Sequence, residues 1–428
     1  MAEAGPRYGW YGDDFTGATD TLATLAEAGQ RALLFLRIPT SQQLASAGQL
    51  DAVGIAGATR AMAPEAMVRE LDEAGRFFAG LGVGLLHYKC CSTFDSAPEV
   101  GSLGAAARAL RPHFSNPLLP VIGGQPNLGR YCLFGSLFAA AGAGGTVHRI
   151  DRHPTMSVHP VTPMGEADLR RHLAAQGLER VALVDYRSHE VDGGGQSLDA
   201  ALASRPEAVL FDVSRPSDLA AIGALLRERM NAGAMLAIGA SSVAQAFAGF
   251  PQAAQPAMPK LARSASGGNL LALVGSLSPV TRAQVDLAEG YDRIAIDPTR
   301  LTSEPAHLDE LRAETLSRLA ERNVMLITDK PAGAPAETGK VAAATGALLR
   351  AIMAEARIAR LVVAGGDTST LAIRSLDLWG LSYRSPCTPG APLCRAHSDD
   401  PRLDGLDIVL KGGQMGTPDF FNRVAETA

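Results

Sequence analysis

The sequence predicts an α/β protein of two domains, each a mainly parallel sheet with flanking helices, with the active site in the cleft between them. Apolar runs of strand length recur along the chain, and each is followed by a turn and then by apolar residues at helical spacing. The runs are apolar throughout rather than alternating, as strands covered on both faces require. A chain of 428 residues also exceeds what one hydrophobic core organises.

The first run, Tyr8–Tyr11, stops at two adjacent carboxylates, Asp13 and Asp14. Thr16, the expected N-cap, and Gly17 then turn the chain into a helix over Ala18–Ala28. Further strands are expected at Arg31–Arg37, Leu50–Ala56, Val83–Tyr88, Leu118–Ile122, Arg180–Asp185, Ala208–Val213 and Met235–Ala240. Helical patterns such as Pro64–Ala79 and Glu166–Gln176 separate them, and a helix starts at Ser242. Between Pro251 and Gly268 the composition turns to Pro, Gln and Ala and then to Ser and Gly, which marks a linker. A boundary near residue 262 divides a domain of residues 1–262 from one of residues 263–428. The strand–helix rhythm resumes with Leu270–Val274, Asp292–Ile296, Asn323–Thr328, Leu361–Ala364 and Ile408–Leu410, without an internal sequence repeat.

A net charge of −5 supplies no field for nucleic acid. Five cysteines, two of them the vicinal Cys90 and Cys91, form no CxxC pair. That count argues against a disulfide framework and a zinc site and for a reducing cytoplasm. The first residues lack a basic stretch followed by an apolar one, so no signal peptide is expected. The uncharged segment Met230–Pro259 is broken by Asn, Gln, Pro and Gly well short of the ~20 residues of a membrane span. No nucleic acid and no membrane are expected as partners.

Asp13, Asp14 and Asp20 fall at or just beyond the carboxyl end of the first strand, the edge where open α/β sheets bind ligands. Two adjacent acids repel one another, so sugar hydroxyls, a metal or a proton-transfer role must hold them there. Lys89 leaves a buried strand ahead of Cys90, Cys91, Ser92, Thr93 and Asp95, a set suited to a small polyhydroxy anion. Gln125 and Arg130 lie in the loop Gly123–Arg130, and Arg149 and Arg152 add two more cations. The acids alone would reject an anion; with these cations an acidic sugar becomes acceptable. His148, His153 and His159 have no metal-ligand spacing, and Cys90 reads as core packing.

In the second domain three strand ends carry similar loops: Gly275-Ser276-Leu277-Ser278, Gly365-Gly366-Asp367-Thr368-Ser369 and Lys411-Gly412-Gly413. Glycines let a backbone approach a ligand, and successive amides at a helix start form an anion nest, with hydroxyls and Lys411 to complement phosphate. Three such loops in one domain point to a phosphate site. Neither the GxxxxGK[ST] loop nor the GxGxxG fingerprint occurs, which leaves an NAD-dependent oxidoreductase without its binding motif.

The start Asp13-Asp14-Phe15-Thr16-Gly17-Ala18-Thr19-Asp20, the stretch Lys89–Asp95 and the three loops of the second domain, in this order, resemble the four-carbon acid sugar kinases, the DUF1537 family. The resemblance implies an N-terminal acid-sugar-binding domain, a C-terminal nucleotide-binding domain, and phosphorylation of a terminal hydroxyl with ATP and Mg²⁺. It implies ATP contacts at Ser276, at Gly365, Gly366, Asp367 and Thr368, and at Gly413, and substrate contacts at Asp13, Asp14, Lys89 and nearby residues. Ser278, Ser369, Lys411 and Gly412 complete the expected nucleotide site; Ser92, Thr93, Asp95, Gln125, Arg130 and Arg152 complete the sugar site. Asp367 is expected to orient Mg²⁺ and is a rival base to Asp13 or Asp14, between which the sequence does not choose. The expected substrate is a 3-oxo-tetronate, with a branched or longer 3-oxo acid such as 3-oxo-isoapionate as the alternative. A non-catalytic sugar-acid sensor is the reading from another class, and a homodimer is the expectation from size and enzyme class.

Overall fold

The structure is a computed structural model that describes residues 6–142, 144–159, 161–248, 261–262, 264, 267–275, 278–328, 338–365, 370 and 372–427. The chain divides into two compact units, Met1–Ala254 and Gln255–Ala428. Most of the expected linker, 251–268, lies outside the described residues.

The first unit contains strands β1 (Tyr8–Gly12), β2 (Ala32–Phe35), β3 (Ala52–Ala56), β4 (Leu85–Lys89), β5 (Pro120–Ile122), β6 (Arg130–Leu133), β7 (Ser136–Ala140), β8 (Val147–Arg149), β9 (Val181–Val184), β10 (Ala208–Phe211) and β11 (Met235–Gly239). Eight of them form a parallel sheet in the order β2-β3-β1-β4-β11-β5-β10-β9. β1, β3, β4, β10 and β11 are buried along their whole length, which is why all but β4, with its buried His87 and Lys89, read as uninterrupted apolar runs. β6, β7 and β8 make a separate antiparallel sheet where the sequence predicts only loops. They are short, and β8 is largely exposed, so neither alternation nor an apolar run marks them.

The second unit contains β12 (Asn269–Val274), β13 (Tyr291–Ile296), β14 (Asn323–Thr328), β15 (Ile358–Ala364), β16 (Gly380–Thr388), β17 (Ala391–His397) and β18 (Asp407–Lys411). Their order is β13-β14-β12-β15-β18-β17-β16, parallel from β13 to β18 and closed by the antiparallel β17 and β16. β16 is partly buried over Ser-Tyr-Arg-Ser-Pro, which hid it from an apolar-run reading. Its core holds a charge cluster. Arg360, wholly buried, lies 3.1 Å from Asp407, which Arg384 also meets, and Arg360 donates to the carbonyls of Ala262 and Val424.

The two units share a topological device. In each, the first strand is flanked by the third on one side and the fourth on the other: β3-β1-β4 and β14-β12-β15. The order of winding reverses beside β1 and beside β12, and at such a switch point the loops leave in opposite directions and open a crevice. Asp13 and Asp14 follow β1, Lys89 ends β4, Gly275 follows β12 and Gly365 follows β15.

Candidate active site

Gly12 pairs in register with Ala56 of β3 and Lys89 of β4. The three chains therefore leave the sheet at one level and stay joined. The Asp13 amide donates to the Lys89 carbonyl at 2.9 Å, the Gly57 amide to Gly12 at 2.8 Å, and the Arg60 amide to the Asp13 carbonyl at 3.2 Å. Cys90 joins the neighbouring β11 by donating to the Gly239 carbonyl at 2.9 Å.

Helix α1 (Phe15–Glu27) starts three residues before the expected Ala18, and its N-cap is Asp14 rather than Thr16. Asp14 has the extended backbone of a cap, and its Oδ1 accepts the Gly17 amide at 2.8 Å. Its Oδ2 lies 2.8 Å from Arg60 Nη1, and the Lys89 ammonium is 3.8 Å from Oδ1. Burial acts against the charge, but Arg60, Lys89 and the Gly17 amide together hold the Asp14 carboxyl below its ordinary pKa. Gly17 makes this possible, because a Cβ there would stand 1.6 Å from Lys89 Nζ. Burial favours a neutral Lys89 amine, yet Asp14 and Asp13 keep it charged, above the usual lysine range.

Asp13 is the opposite case. It is buried, its Oδ1 has no hydrogen-bond partner among the described residues, and no ion pair joins it to Arg60 or Lys89. Desolvation first, and then the negative charge of Asp14, push its carboxyl up to about 7. Two neighbouring acids thus divide into an anion and a group poised to take up a proton near neutrality, a division that marks acid–base sites.

The loop after β4 adds hydroxyls. Thr93 Oγ1 donates to Asp95 Oδ1 and sits 3.0 Å from Cys91 Sγ, and Ser92, Thr93 and Asp95 are all buried. Burial raises the Cys90 thiol, and burial with Asp95 raises Cys91 to about 12, so neither is a thiolate. Gln125 Nε2 donates to Asp20 Oδ2 at 3.0 Å, which ties the loop after β5 to α1. Arg130 is buried, donates to the Leu128 carbonyl and leaves Nε without a partner among the described residues, and burial lowers its pKa. Arg152 is not gathered into this group. Its side chain is 77% exposed and 3.8 Å from Asp151, a carboxylate already held by Arg149. His153 and His159 accept backbone amides within their own loop.

Arg60, absent from the sequence-based site, is the direct partner of Asp14. The signal was available: Thr59-Arg60 lies just beyond the strand Ala52–Ala56, as Lys89 stands at the end of its own.

In the second unit the Gly275 amide donates to the Ala364 carbonyl at 2.9 Å and the Gly365 amide to Lys411 at 2.8 Å, which levels the three strand ends. Gly365 has a φ of +128°, a conformation glycine alone adopts readily. Ser278 caps the helix Pro279–Asp286, accepting the Thr281 amide at 3.2 Å and donating to the Gly413 carbonyl. Thr281 Oγ1 donates to the same carbonyl at 2.9 Å, and Gln284 Nε2 donates to Met415 and Thr417 at 3.0 and 2.9 Å. Lys411 is fully buried, with its ammonium donating to Thr281 Oγ1 and to the carbonyls of Gly412 and Met415. Burial lowers its pKa to about 7. Lys411 thus anchors the loop that Gly412 and Gly413 form. Thr281 and Gln284, which share that task, lie outside the expected set. Ser276, Gly366, Asp367, Thr368 and Ser369 lie outside the described residues. Among the described residues no group of three or more His, Cys, Asp or Glu could hold a metal ion, and no helix is long and apolar enough to cross a membrane.

Residues 8–247 match the family model of a sugar-binding N-terminal domain and residues 271–421 that of a nucleotide-binding C-terminal domain. The chain is 38% identical to the 3-oxo-isoapionate kinase of Paraburkholderia graminis, over 99% of this chain and 95% of that protein. It is 30% identical to the 3-oxo-tetronate kinase of Methylobacterium radiotolerans, over 98% of both. Among solved structures, a Haemophilus influenzae protein of the DUF1537 family shares the fold, with a TM-score of 0.67 and 23% identity over 97% of this chain and 98% of that one. The acid pair after β1, the cations around it and the linked glycine loops after β12, β15 and β18 thus stand on a chain matched from end to end, and it belongs to the four-carbon acid sugar kinase family.

Proposed function

We propose that the protein is an ATP-dependent kinase that phosphorylates the terminal hydroxyl of a 3-oxo sugar acid, held by residues 1–262, with ATP held by residues 263–428. The observation that carries the proposal is the division of Asp13 from Asp14. Asp14 is neutralised by Arg60 and Lys89, whereas Asp13 keeps an unpaired oxygen and a pKa of about 7. Asp13 is therefore the base: it accepts the proton of the hydroxyl as the oxygen attacks the γ-phosphorus, whose bond to the bridging oxygen breaks and releases ADP. Lys89 and Arg130 hold the substrate carboxylate, and Ser92, Thr93, Asp95 and Gln125 meet its hydroxyls and carbonyl. In the second domain, amides of the glycine loops after β12, β15 and β18 receive the phosphates, with Asp367 toward Mg²⁺. Mg²⁺ bound with the nucleotide supplies neutralisation of the charge on the transferring phosphoryl group.

The 38% identity to a kinase of a branched 3-oxo acid, against 30% to one of a tetronate, favours 3-oxo-isoapionate as substrate, with 3-oxo-tetronate second. The test is ADP release from ATP and Mg²⁺ against linear and branched 3-oxo and aldonic acids. A kcat/KM highest for the branched acid is expected. Preference for the tetronate would move the substrate and keep the chemistry. Silence across the panel, with no nucleotide binding by calorimetry, would leave a sugar-acid sensor.

A further inference from the structure

The loop that presents Thr93 and Asp95 contains a backbone conformation that its own residue disfavours. Phe94, between them, has a φ of +54°, the left-handed region that a bulky side chain rarely occupies, and it is wholly buried. Such a residue persists only where its surroundings determine it. Here the surroundings are specific. His172 Nε2 lies 3.1 Å from the Phe94 carbonyl and 2.9 Å from Ser96 Oγ, and Ser96 Oγ donates to that same carbonyl at 2.9 Å. One turn on, Gln176 Nε2 donates to Ser96 Oγ at 2.9 Å, while its Oε1 accepts the Leu103 amide at 2.7 Å. Two side chains from the segment 169–176 therefore grip the middle of the loop 89–102 and the start of the helix that follows it. Burial lowers the His172 pKa, so the ring is neutral. In one tautomer Nε2 donates to the Phe94 carbonyl; in the other it accepts from Ser96 Oγ and from Gln176 Nε2, 2.9 Å away.

The left-handed residue turns the chain so that Thr93 Oγ1 reaches Asp95 Oδ1. Both residues are buried in the loop that follows Lys89 at the end of β4, the strand end to which Asp13 is joined. Without the grip, Phe94 relaxes toward an ordinary conformation and the pair of side chains on either side of it leaves that position.

We propose that His172, which the sequence-based site does not include, is a positioning residue: through Ser96 and the Phe94 carbonyl it holds Thr93 and Asp95 in their substrate-facing arrangement. The role assigned to Thr93 and Asp95 rests on the kinase reading above; the clamp itself does not.

The test compares the intact wild-type protein with His172→Ala and His172→Gln, whose side-chain amide restores a donor. Amide hydrogen exchange across residues 90–97 is expected to quicken about tenfold in His172→Ala, the equivalent of one lost buried hydrogen bond, with other segments unchanged and with recovery in His172→Gln. The KM for the sugar acid should rise about tenfold in His172→Ala while the KM for ATP stays within about twofold. Unchanged exchange at 90–97, or acceleration spread over the whole first unit, would overturn the clamp. A parallel rise in both KM values would overturn its role in substrate positioning. If the wild-type protein phosphorylates no sugar acid, the kinase reading fails, and the exchange measurement still decides the clamp.

Discussion

Replacing Asp13 by Asn should abolish turnover and flatten the pH dependence of stability, and the second effect follows from the same burial that makes Asp13 a base. In the unfolded chain its carboxyl ionises near 3.8; in the folded protein it does so at about 7. Below 3.8 both states hold the proton. Between 3.8 and about 7 only the folded state does, so unfolding releases a proton and stability falls as pH rises. Above about 7 both states are ionised and the full cost stands. At 1.36 kcal/mol per pH unit, that cost is on the order of 4 kcal/mol, more than half of which develops between pH 5 and pH 8. Asn carries no charge, so the stability of Asp13→Asn relative to wild type should rise by roughly 2–3 kcal/mol over that interval, whatever constant penalty the amide brings. Urea unfolding across the interval measures it, with Trp10, wholly buried in β1, as the reporter. The kcat/KM should fall about 10²–10⁴-fold, the usual worth of a positioned base. Wild-type activity should climb as pH rises through about 7, as the base loses its proton. Parallel stability curves for the two proteins, or retained activity in Asp13→Asn, would refute the assignment.

Two substitutions probe the supports on either side. Gly17→Ala would place a methyl 1.6 Å from Lys89 Nζ and 2.7 Å from Asp14 Oδ1. It should displace the ammonium, raise the KM for the sugar acid about tenfold and lower stability by about 1–3 kcal/mol, read by steady-state kinetics and thermal unfolding. Lys411→Met removes the donor that joins Thr281 to the Gly412 and Met415 carbonyls. It should raise the KM for ATP about tenfold, as one buried hydrogen bond lost from a binding loop would, and leave the KM for the sugar acid unchanged.

What the sequence disclosed follows from how each element meets water. Strands buried on both faces, such as Ala52–Ala56 and Met235–Gly239, announce themselves because every position is apolar or small until the loop begins. The hairpins at Arg130–Ala140 and Gly380–His397 do not, since their exposed or mixed faces admit Arg, Ser and His. The cap of α1 was misread for a similar local reason. Asp14 and Thr16 are both good caps by residue type, and what decides between them is the extended backbone at Asp14, imposed by the strand it has just left.

The site divides along the same line. Asp13, Asp14 and Lys89 are legible because a strand end is where an apolar run stops. Their ionisation is not, because it depends on side chains that the parallel crossover brings from other strand ends. Two acids and two cations meet here, but the cations are not shared evenly. Arg60 reaches Oδ2 of Asp14, and Lys89, given room by Gly17, approaches Oδ1. Asp14 also serves as the helix cap, so all of its charge is engaged. Asp13, one residue earlier, feels both cations without forming an ion pair with either, and desolvation and the charge of Asp14 outweigh them. The asymmetry arises from β1 meeting β3 and β4 at the point where the winding reverses, so the fold, more than either aspartate, determines which of the two can accept a proton.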